Sequence, residues 1–457
     1  MKPYPRYKPT GLAWLPSVPD HWEVTKIRSL FTERTTKVSD KDYPPLSVTK
    51  DGVVPQMENV AKSDDGDNRK LVRNGDFVIN SRSDRKGSSG ISSLDGSVSL
   101  VNLVLKPRTD GNRGFFHYLL KSNSFVEEFY RNGHGIVADL WTTRYSEMKS
   151  IYLPLPPPSE QARIVAYLDE KTAAIDELVR AKEREIDLLR ERKQALVSAA
   201  VTGREEAGRE GQERREGRAA LGTPGTSGTP VPNVPFVPDP SSPSGPSRPA
   251  SPAGWRACRL KELIRCFKGL NITKADLVQE GAAVISYGQI HAKDNDGLSL
   301  KDSHLRFVSP ERAEPSAELR RGDIVFADTS EDDSGIGNCV LVDRDTEIWA
   351  GYHTIVARLH DPSIAEYLAA LFQSDWWRNQ LRRGANGVKV FSVTQRLLTN
   401  TTVLLPPEPE RRRIVEKIRE KVADFAAAEA AIRKQLSLLQ ELRTRLVSDA
   451  VTGAVEV

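Results

Sequence analysis

The sequence predicts an α+β protein that contains two mixed, β-rich α/β domains, each followed by a long helix, in a pseudo-twofold repeat. The segment LVSAAVTG at residues 196–203 recurs as LVSDAVTG at 446–453. Between 155–203 and 405–453, 21 of 49 positions are identical without a gap. Short apolar runs such as DFVIN and TIVARL precede each copy and are typical of strands. Two copies are too few for a solenoid, so they indicate two equivalent halves joined in one chain.

The repeated segment predicts a long helix with a coiled-coil seam, because its apolar residues recur at alternating steps of three and four. The prolines of PPPSEQ and PPEPE and a cap-like Ser159 indicate where the helices begin, and Gly203 and Gly453 indicate where they end. About 40 helical residues would span about 60 Å. The residues expected to pair the helices are Val165, Leu168, Ile175, Val179, Ile186, Leu189 and Leu196 in the first copy, and Val415, Ile418, Val422, Phe425, Ile432, Leu436, Leu439 and Leu446 in the second.

Polar residues interrupt this seam. Lys182, Lys193, Glu429 and Arg443 occupy seam positions and are expected to fix the pairing and its register. The alternative, that each helix packs only on its own domain, remains open at the level of sequence.

The composition changes abruptly after Gly203. Residues 204–254 begin with mixed charges and continue as a tract rich in Gly, Pro, Ser and Thr, which cannot bury enough apolar surface to fold. We expect a disordered linker, although its PxxP-like spacing would also suit a ligand of a proline-recognising domain. The predicted organisation is 1–152 first globular domain, 153–203 first helix, 204–254 linker, 255–404 second globular domain and 405–457 second helix.

The two globular segments resemble each other faintly. Trp22 and Trp255 stand near their beginnings, and LVRNGDFVINS parallels LRRGDIVFADT, which predicts a Gly-Asp turn before an apolar strand in each. Helical segments that end in Gly-rich turns follow in both domains.

Composition bounds the class of protein. The chain has 457 residues and a net charge of only +4, so any argument for nucleic-acid binding has to rest on local charge. The three cysteines form no CxxC pair, which argues against a zinc finger or a disulfide framework and suits the cytoplasm. No apolar signal region begins the sequence and no run of 18 apolar residues occurs, so we expect no membrane span.

Catalytic motifs are missing from the sequence. It has no GxxxxGK[ST] phosphate loop, no HExxH pair and no GxSxG elbow. The YPPL at 43–46 resembles an amino-methyltransferase NPPY loop but lacks the leading Asn or Asp, and no Gly-rich cofactor loop accompanies it. We therefore expect no active site on this chain.

Basic loops are the better candidates for function. Residues 1–152 hold 23 Lys and Arg against 18 Asp and Glu, and the loop SRSDRKGSSG places three cations among small residues. Such loops can approach phosphates closely, and Arg or Asn can read base edges. A solvated surface loop remains the alternative for each cluster. The candidate DNA-binding residues are Arg82, Arg85, Lys86 and Arg144 in the first domain, and Gln289, His291, Lys293, Arg382, Arg383, Asn386 and Lys389 in the second, where Arg378 belongs to the same basic cluster.

Taken in order, these features resemble the specificity subunit of type I restriction–modification systems. The most specific part is IYLPLPPPSEQARIVAYLDEKTAAIDELV, at residues 151–179, which closely follows a signature of that family. The second copy departs from the signature, because PEPERRR has no counterpart of Gln161. The resemblance covers essentially the whole chain outside the linker.

The resemblance implies two target-recognition domains, each reading one half of a bipartite DNA sequence, held apart by two long antiparallel helices. The helices would also dock two methyltransferase subunits, and restriction subunits would join that core. S-adenosylmethionine, ATP and Mg would be bound by the partner subunits, and none of them by this chain. Two alternatives remain: a coiled-coil protein-interaction adaptor without DNA recognition, and the recognition part of a combined cutting and modifying enzyme.

Overall fold

The computed structural model describes residues 2–56, 66–108, 112–135, 141–203, 254–345, 347–385, 387 and 390–457. They divide into two compact units. The first contains Met1–Arg184 and Ala431–Val457, and the second contains Glu185–Ala430. Each unit combines strands and short helices with parts of two long helices, which confirms the predicted fold class.

The first unit is built mainly from antiparallel strands. The strands are β1 (Tyr7–Pro9), β2 (Ser17–Pro19), β3 (Glu23–Lys26), β4 (Phe31–Glu33), β5 (Lys37–Val38), β6 (Leu46–Thr49), β7 (Gly52–Pro55), β8 (Arg69–Val72), β9 (Phe77–Asn80), β10 (Ser89–Ile91), β11 (Gly96–Val98), β12 (Asn102–Pro107) and β13 (Tyr152–Leu155). The helices are α1 (Ile27–Leu30), the 3₁₀ turn Ser83–Arg85, α2 (Arg113–Lys121), α3 (Asn123–Arg131), α4 (Tyr145–Met148) and the long α5 (Pro158–Val201), which continues into the second unit.

The second unit repeats this composition. Its strands are β14 (Arg256–Arg259), β15 (Ile264–Lys268), β16 (Leu277–Val278), β17 (Ala282–Ile285), β18 (Arg306–Val308), β19 (Ile324–Ala327), β20 (Thr329–Ser330), β21 (Cys339–Leu341), β22 (Ile348–Ala350), β23 (Thr354–Leu359), β24 (Phe391–Ser392) and β25 (Thr402–Leu405). Its α-helices are α6 (Tyr287–Ile290), α7 (Ala365–Phe372), α8 (Asp375–Arg382), α9 (Gln395–Thr399) and the long α10 (Glu408–Thr452). Its 3₁₀ turns are Leu260–Glu262, Lys274–Asp276, Asp302–His304, Pro310–Arg312, Pro315–Ala317 and Pro362–Ile364.

The two units share the order of their main sheet. The first contains a four-stranded sheet in the order β10-β9-β12-β4, and the second contains one in the order β21-β19-β23-β15. In each unit the strand that directly follows a tryptophan, Trp22 or Trp255, pairs with the strand that precedes the long helix, β3 with β13 and β14 with β25. The registers also agree, because Glu23 faces Leu155 and Arg256 faces Leu405. The duplication inferred from the helices therefore extends through the domains.

The Gly-Asp turn is the same in both units. Gly75 has a φ of +91° and Gly322 a φ of +92°, a backbone conformation that favours glycine. The following carboxylate accepts a backbone hydrogen bond from three residues earlier and pairs with an arginine. Asp76 lies 2.7 Å from Arg34 Nε, and Asp323 makes the same kind of pair with an arginine of β23. The turn thus anchors the central strand that follows it.

Each unit packs one end of each long helix into its own core. In the first unit, Leu168 of α5 and Leu446 of α10 belong to one buried cluster. In the second, Val197 of α5 and Ile418 of α10 do so. Because the first half of one helix meets the second half of the other in each unit, the pairing is antiparallel. The alternative that each helix packs only on its own domain is therefore excluded.

Charged pairs accompany this packing. Arg443 Nε lies 3.0 Å from Asp176 Oδ1 in the first unit, and Arg190 lies 2.8 Å from Glu429 in the second. All fifteen predicted pairing residues are buried or half-buried, whereas the exposed leucines of the helices occupy other positions. The contribution of each residue to pairing stays a prediction.

The helix ends agree with the predicted glycine stops and correct one predicted start. Gly203, two residues after Val201, has a φ of +69°, and Gly453, directly after Thr452, has a φ of +76°. The first helix begins at Pro158, so Ser159 lies inside its first turn and does not cap it. Gln161 is buried and its side-chain amide donates to the carbonyl of Pro156 at 2.8 Å, which fastens the preceding proline segment to the helix.

Most of the predicted linker lies outside the described residues, which resume at Gly254. The domain boundaries proposed from sequence stay predictions. Among the described helices, none combines the length and the apolar character that crossing a membrane requires.

Candidate nucleic-acid interface

The loop that follows β9 is fixed by three backbone connections. Ser81 N donates to the carbonyl of Val101 at 3.1 Å, and Thr143 N donates to the carbonyl of Ser81 at 3.0 Å. Arg82 forms an isolated antiparallel bridge with Thr142. These connections bring the start of the basic loop against a segment about 60 residues later in the chain.

The result is an open cavity of about 660 Å³ in the first unit, here called the Arg82 cleft. Its lining residues are Glu33, Lys70, Ser81, Arg82, Leu100, Val101, Leu103, Thr142, Thr143, Arg144, Tyr145, Ser146 and Lys149. Leu100 and Val101 are exposed, as is Trp141 beside the lining residue Thr142. The cleft therefore combines arginines, hydroxyl groups and exposed apolar side chains, the groups that proteins use on phosphates, base edges and base faces.

The cations of the loop differ in how far they are neutralised. Arg82 Nε lies 3.1 Å from Asp84, and Arg85 Nε lies 4.0 Å from the same carboxylate. Lys86 pairs with Glu127 at 2.6 Å. The Arg85 side chain is 70% exposed. Arg85 is thus the loop cation that is most accessible to an anionic ligand.

Neighbouring groups hold the cleft in shape. The Tyr130 hydroxyl donates to the carbonyl of Asn80 at 2.8 Å, and burial raises the pKa of Tyr130, so it stays a donor. Arg144, which is exposed, sits at the start of α4, where its backbone N–H donates to Glu147 at 2.7 Å. Partial burial alone would raise the pKa of Glu147, but hydrogen bonds from Ser146 and from this N–H hold it below its ordinary value. The carboxylate therefore stays ionised and keeps Arg144 in place.

The second unit repeats these backbone connections with different side chains. Asp328 N donates to the carbonyl of His353 at 3.1 Å, and Val393 N donates to the carbonyl of Asp328 at 2.8 Å. Thr329 pairs with Ser392. Asp328, Val393 and Thr329 therefore make the connections that Ser81, Thr143 and Arg82 make in the first unit. His353 accordingly occupies the position of Val101.

The side chains around His353 form what we call the His353 edge, defined as Asp328, Tyr352 and His353. His353 has a φ of +55°, and it is the non-glycine residue with a positive φ in the described part of the chain. Its Nδ1 lies 3.2 Å from Asp328 Oδ1. Its ring lies 5.4 Å from the ring of Tyr287 and 5.9 Å from that of Tyr352, both near-perpendicular. The imidazole of His353 therefore packs against two tyrosine rings beside the main sheet.

Among the described residues predicted for the second domain, Arg382 and Gln289 have partners close to them in the same unit. Arg382 pairs with Asp375 at 3.2 Å and with Asp333 at 3.6 Å, and its side chain is 21% exposed. Gln289 accepts a hydrogen bond from the backbone of Ser286, at the start of its own helix. Lys293 and Arg383 are exposed, and Asn386 and Lys389 lie outside the described residues. Their roles in DNA binding stay predictions.

The structure corrects the predicted basic cluster at Arg378, which is buried and so is not part of an exposed basic surface. It is 7% exposed, and its guanidinium donates to Asn338 Oδ1 at 2.8 Å and to the carbonyl of Phe372 at 2.9 Å. Asn338 Nδ2 in turn lies 3.0 Å from His291 Nδ1, and His291 Nε2 lies 2.8 Å from the carbonyl of Thr329. Because the amide donates to Nδ1, Nε2 carries the proton and donates to Thr329. Arg378 and His291 thus support the loop beside the His353 edge from within.

Sequence reasoning missed His353, Tyr352 and Trp141. The tripeptide GYH at 351–353 stands between two apolar strands, where a short turn is expected, and aromatic residues in such a turn are a usable signal. Trp141 gives no comparable signal, because it is brought to the loop by a contact between distant segments, in which Ser83 N donates to the Trp141 carbonyl at 2.9 Å.

No protein-family model matches the sequence, and no curated protein matches it. Solved structures do. A chain from a structure of complex assembly and conformational transition in a type I R-M system has 15% identity and a TM-score of 0.58, and the match covers 96% of this chain and 99% of that one. The fold is shared over nearly the whole length. The HsdS subunit from Thermoanaerobacter tengcongensis (16% identity, TM-score 0.42, 96% and 98% covered) and the type I restriction–modification S subunit from M. genitalium (14%, 0.35, 94% and 96%) also match.

The described residues contain no group of three or more His, Cys, Asp or Glu side chains placed to hold a metal ion.

Proposed function

We propose that this chain is the DNA sequence-recognition subunit of a type I restriction–modification complex. Each unit would read one half of a bipartite target, with the Arg82 cleft as the reading surface of the first unit. The paired helices would set the spacing between the half-sites and dock two methyltransferase subunits. Restriction subunits would complete the assembly.

One observation carries this proposal. A β-rich unit with the same sheet order, the same Gly-Asp turn and the same closing strand pair occurs twice, each time with antiparallel helices in its core. The chain of the type I R-M structure shares this fold from end to end. A bipartite target calls for two equivalent reading units, and the duplicated architecture supplies them.

The chemistry is expected on the partner subunits. S-adenosylmethionine would be bound by the methyltransferase subunits, and ATP and Mg by the restriction subunits. We expect this chain to transfer no methyl group and to cut no DNA by itself. Methyl transfer by the purified chain without a partner would contradict this part of the proposal.

The test is a map of methylated adenines in host cells with and without this gene. We expect a two-part motif that disappears when the gene is deleted. Replacing residues 1–152 by the equivalent domain of a structural relative should change one half of the motif and leave the other half. An unchanged map after deletion, together with no binding of DNA by the assembled complex, would favour the adaptor alternative.

A further inference from the structure

We propose that the His353 edge is the DNA-reading site of the second unit, with His353 as a base-contacting residue and His291 as a positioning residue. This inference rests on the proposed function and deepens it by assigning the surface that meets the second half-site. It moves the assignment away from the basic helix end at Arg382 and Arg383.

The first argument is positional. The main-chain hydrogen bonds that connect Asp328 with His353 and Val393 reproduce those that build the Arg82 cleft. The turn between β22 and β23 therefore occupies the place of the turn that carries Leu100 and Val101, both exposed, in the first unit. Two copies of one architecture present the same turn at the same edge, and in the second copy that turn carries an imidazole.

The second argument is backbone strain. A left-handed φ is uncommon for residues other than glycine and is energetically unfavourable for them. Glycine would adopt the +55° of His353 without this cost. The chain nevertheless keeps a histidine there, and its side chain is 56% exposed. Such strain clusters at binding sites, where a side chain has to be presented in one direction.

The third argument is chemical. Asp328 holds Nδ1 of His353, and the half-exposed ring leaves Nε2 to contact a ligand. An imidazole nitrogen can donate to or accept from a base edge, and Tyr352 beside it offers a hydroxyl and an aromatic face. Below, His291 donates to the carbonyl of Thr329, the residue that follows Asp328, so the loop that orients the carboxylate is itself fixed.

The experiment compares His353→Gly with wild type in the complete complex with its methyltransferase partners. Glycine suits the left-handed backbone, so the variant should fold and its thermal midpoint should equal or exceed that of wild type. We expect target-specific affinity to fall about tenfold or more, as when one good hydrogen-bonding partner of a base is removed. The methylated motif in cells should lose discrimination at one position of the second half-site, with the first half-site unchanged.

Two matched variants complete the design. Arg383→Ala removes an exposed cation of the basic helix end and should weaken binding to all sequences alike without changing the motif. His291→Phe keeps a ring but removes the bond to Thr329, and it should lower specificity in the same half-site as His353→Gly, by less. If His353→Gly leaves the motif and the affinity as in wild type, the His353 edge is not the reading site. A bipartite motif of the wild-type complex would in that case still support the proposed function. If the wild-type complex yields no bipartite motif, the proposed function itself fails.

Discussion

The buried Arg378 guanidinium donates a 2.8 Å hydrogen bond to Asn338 Oδ1 and thereby fixes which way the amide faces. The amide nitrogen then lies 3.0 Å from His291 Nδ1, which fixes the tautomer of that histidine. Arg378, which the sequence groups with DNA-binding cations, instead begins a chain of hydrogen bonds inside the second unit that runs through Asn338 to His291.

Replacing Arg378 by methionine should therefore destabilise the second unit. The change leaves several buried acceptors without their donor, and the cost is about 3 kcal/mol in free energy of unfolding. Urea denaturation would measure it. Arg383→Met, at an exposed position directly after the same helix, should change the same free energy by less than about 0.5 kcal/mol. Equal losses in the two variants would show that Arg378 is not a buried support.

Stability of the first unit should depend on pH through His117. Burial, and then the positive charges of Lys121 and Arg443, lower the pKa of His117 to about 4. The folded-state pKa lies below the ordinary value of about 6.5, so the folded state resists protonation that the unfolded chain accepts. The contribution is fully present above about pH 6.5 and is lost as pH falls towards 4.

Denaturation midpoints between pH 4 and 7 test this expectation. His117→Gln should flatten the decline over that window, whereas His360→Gln, which removes an exposed histidine of the other unit, should leave the curve as it is. A wild-type curve that is flat over this window would count against a neutral, half-buried His117.

The Arg82 cleft predicts a measurable salt effect. Arg82 and Arg144 line the same cavity, so Arg82→Ala combined with Arg144→Ala should leave up to two DNA phosphates without their cation in the assembled complex. The slope of log affinity against log salt should shrink by about 0.9 for each phosphate that is no longer neutralised. Lys106→Ala removes an exposed cation of β12 that is not among the lining residues, and it should leave the slope near wild type. If the double variant has the wild-type slope, Arg82 and Arg144 do not contact DNA phosphates.

Local signals in the sequence predicted the repeat and its turns well. Gly75 and Gly322 each stand directly before an Asp, and this local pair is enough to predict a short turn in which the glycine has a positive φ. The site residues were harder to predict from the sequence. Arg378 and Arg383 belong to one basic run, and they differ only in that Arg378 is buried and Arg383 is exposed. Likewise, no periodicity indicates that Thr142 bridges to Arg82 or that His353 takes the place of Val101. Contacts between distant segments decide these relationships.

The last prediction concerns the length of the helices. Arg180 lies in α5 between Asp176, which pairs with Arg443, and Arg190, which pairs with Glu429. Inserting four residues after Arg180 adds about one turn, or about 6 Å. Since B-DNA rises about 3.4 Å per base pair, the gap between half-sites should widen by one or two base pairs. Both half-sites should stay as they are.

A two-residue insertion at the same place is the matched control. Four residues nearly preserve the helical face and leave a local stutter in the heptads, whereas two residues turn the seam away from its partner and should disrupt pairing. The methylated motif of the four-residue variant in cells decides the matter. An active variant with the original spacing would mean that these helices do not set the distance between the half-sites.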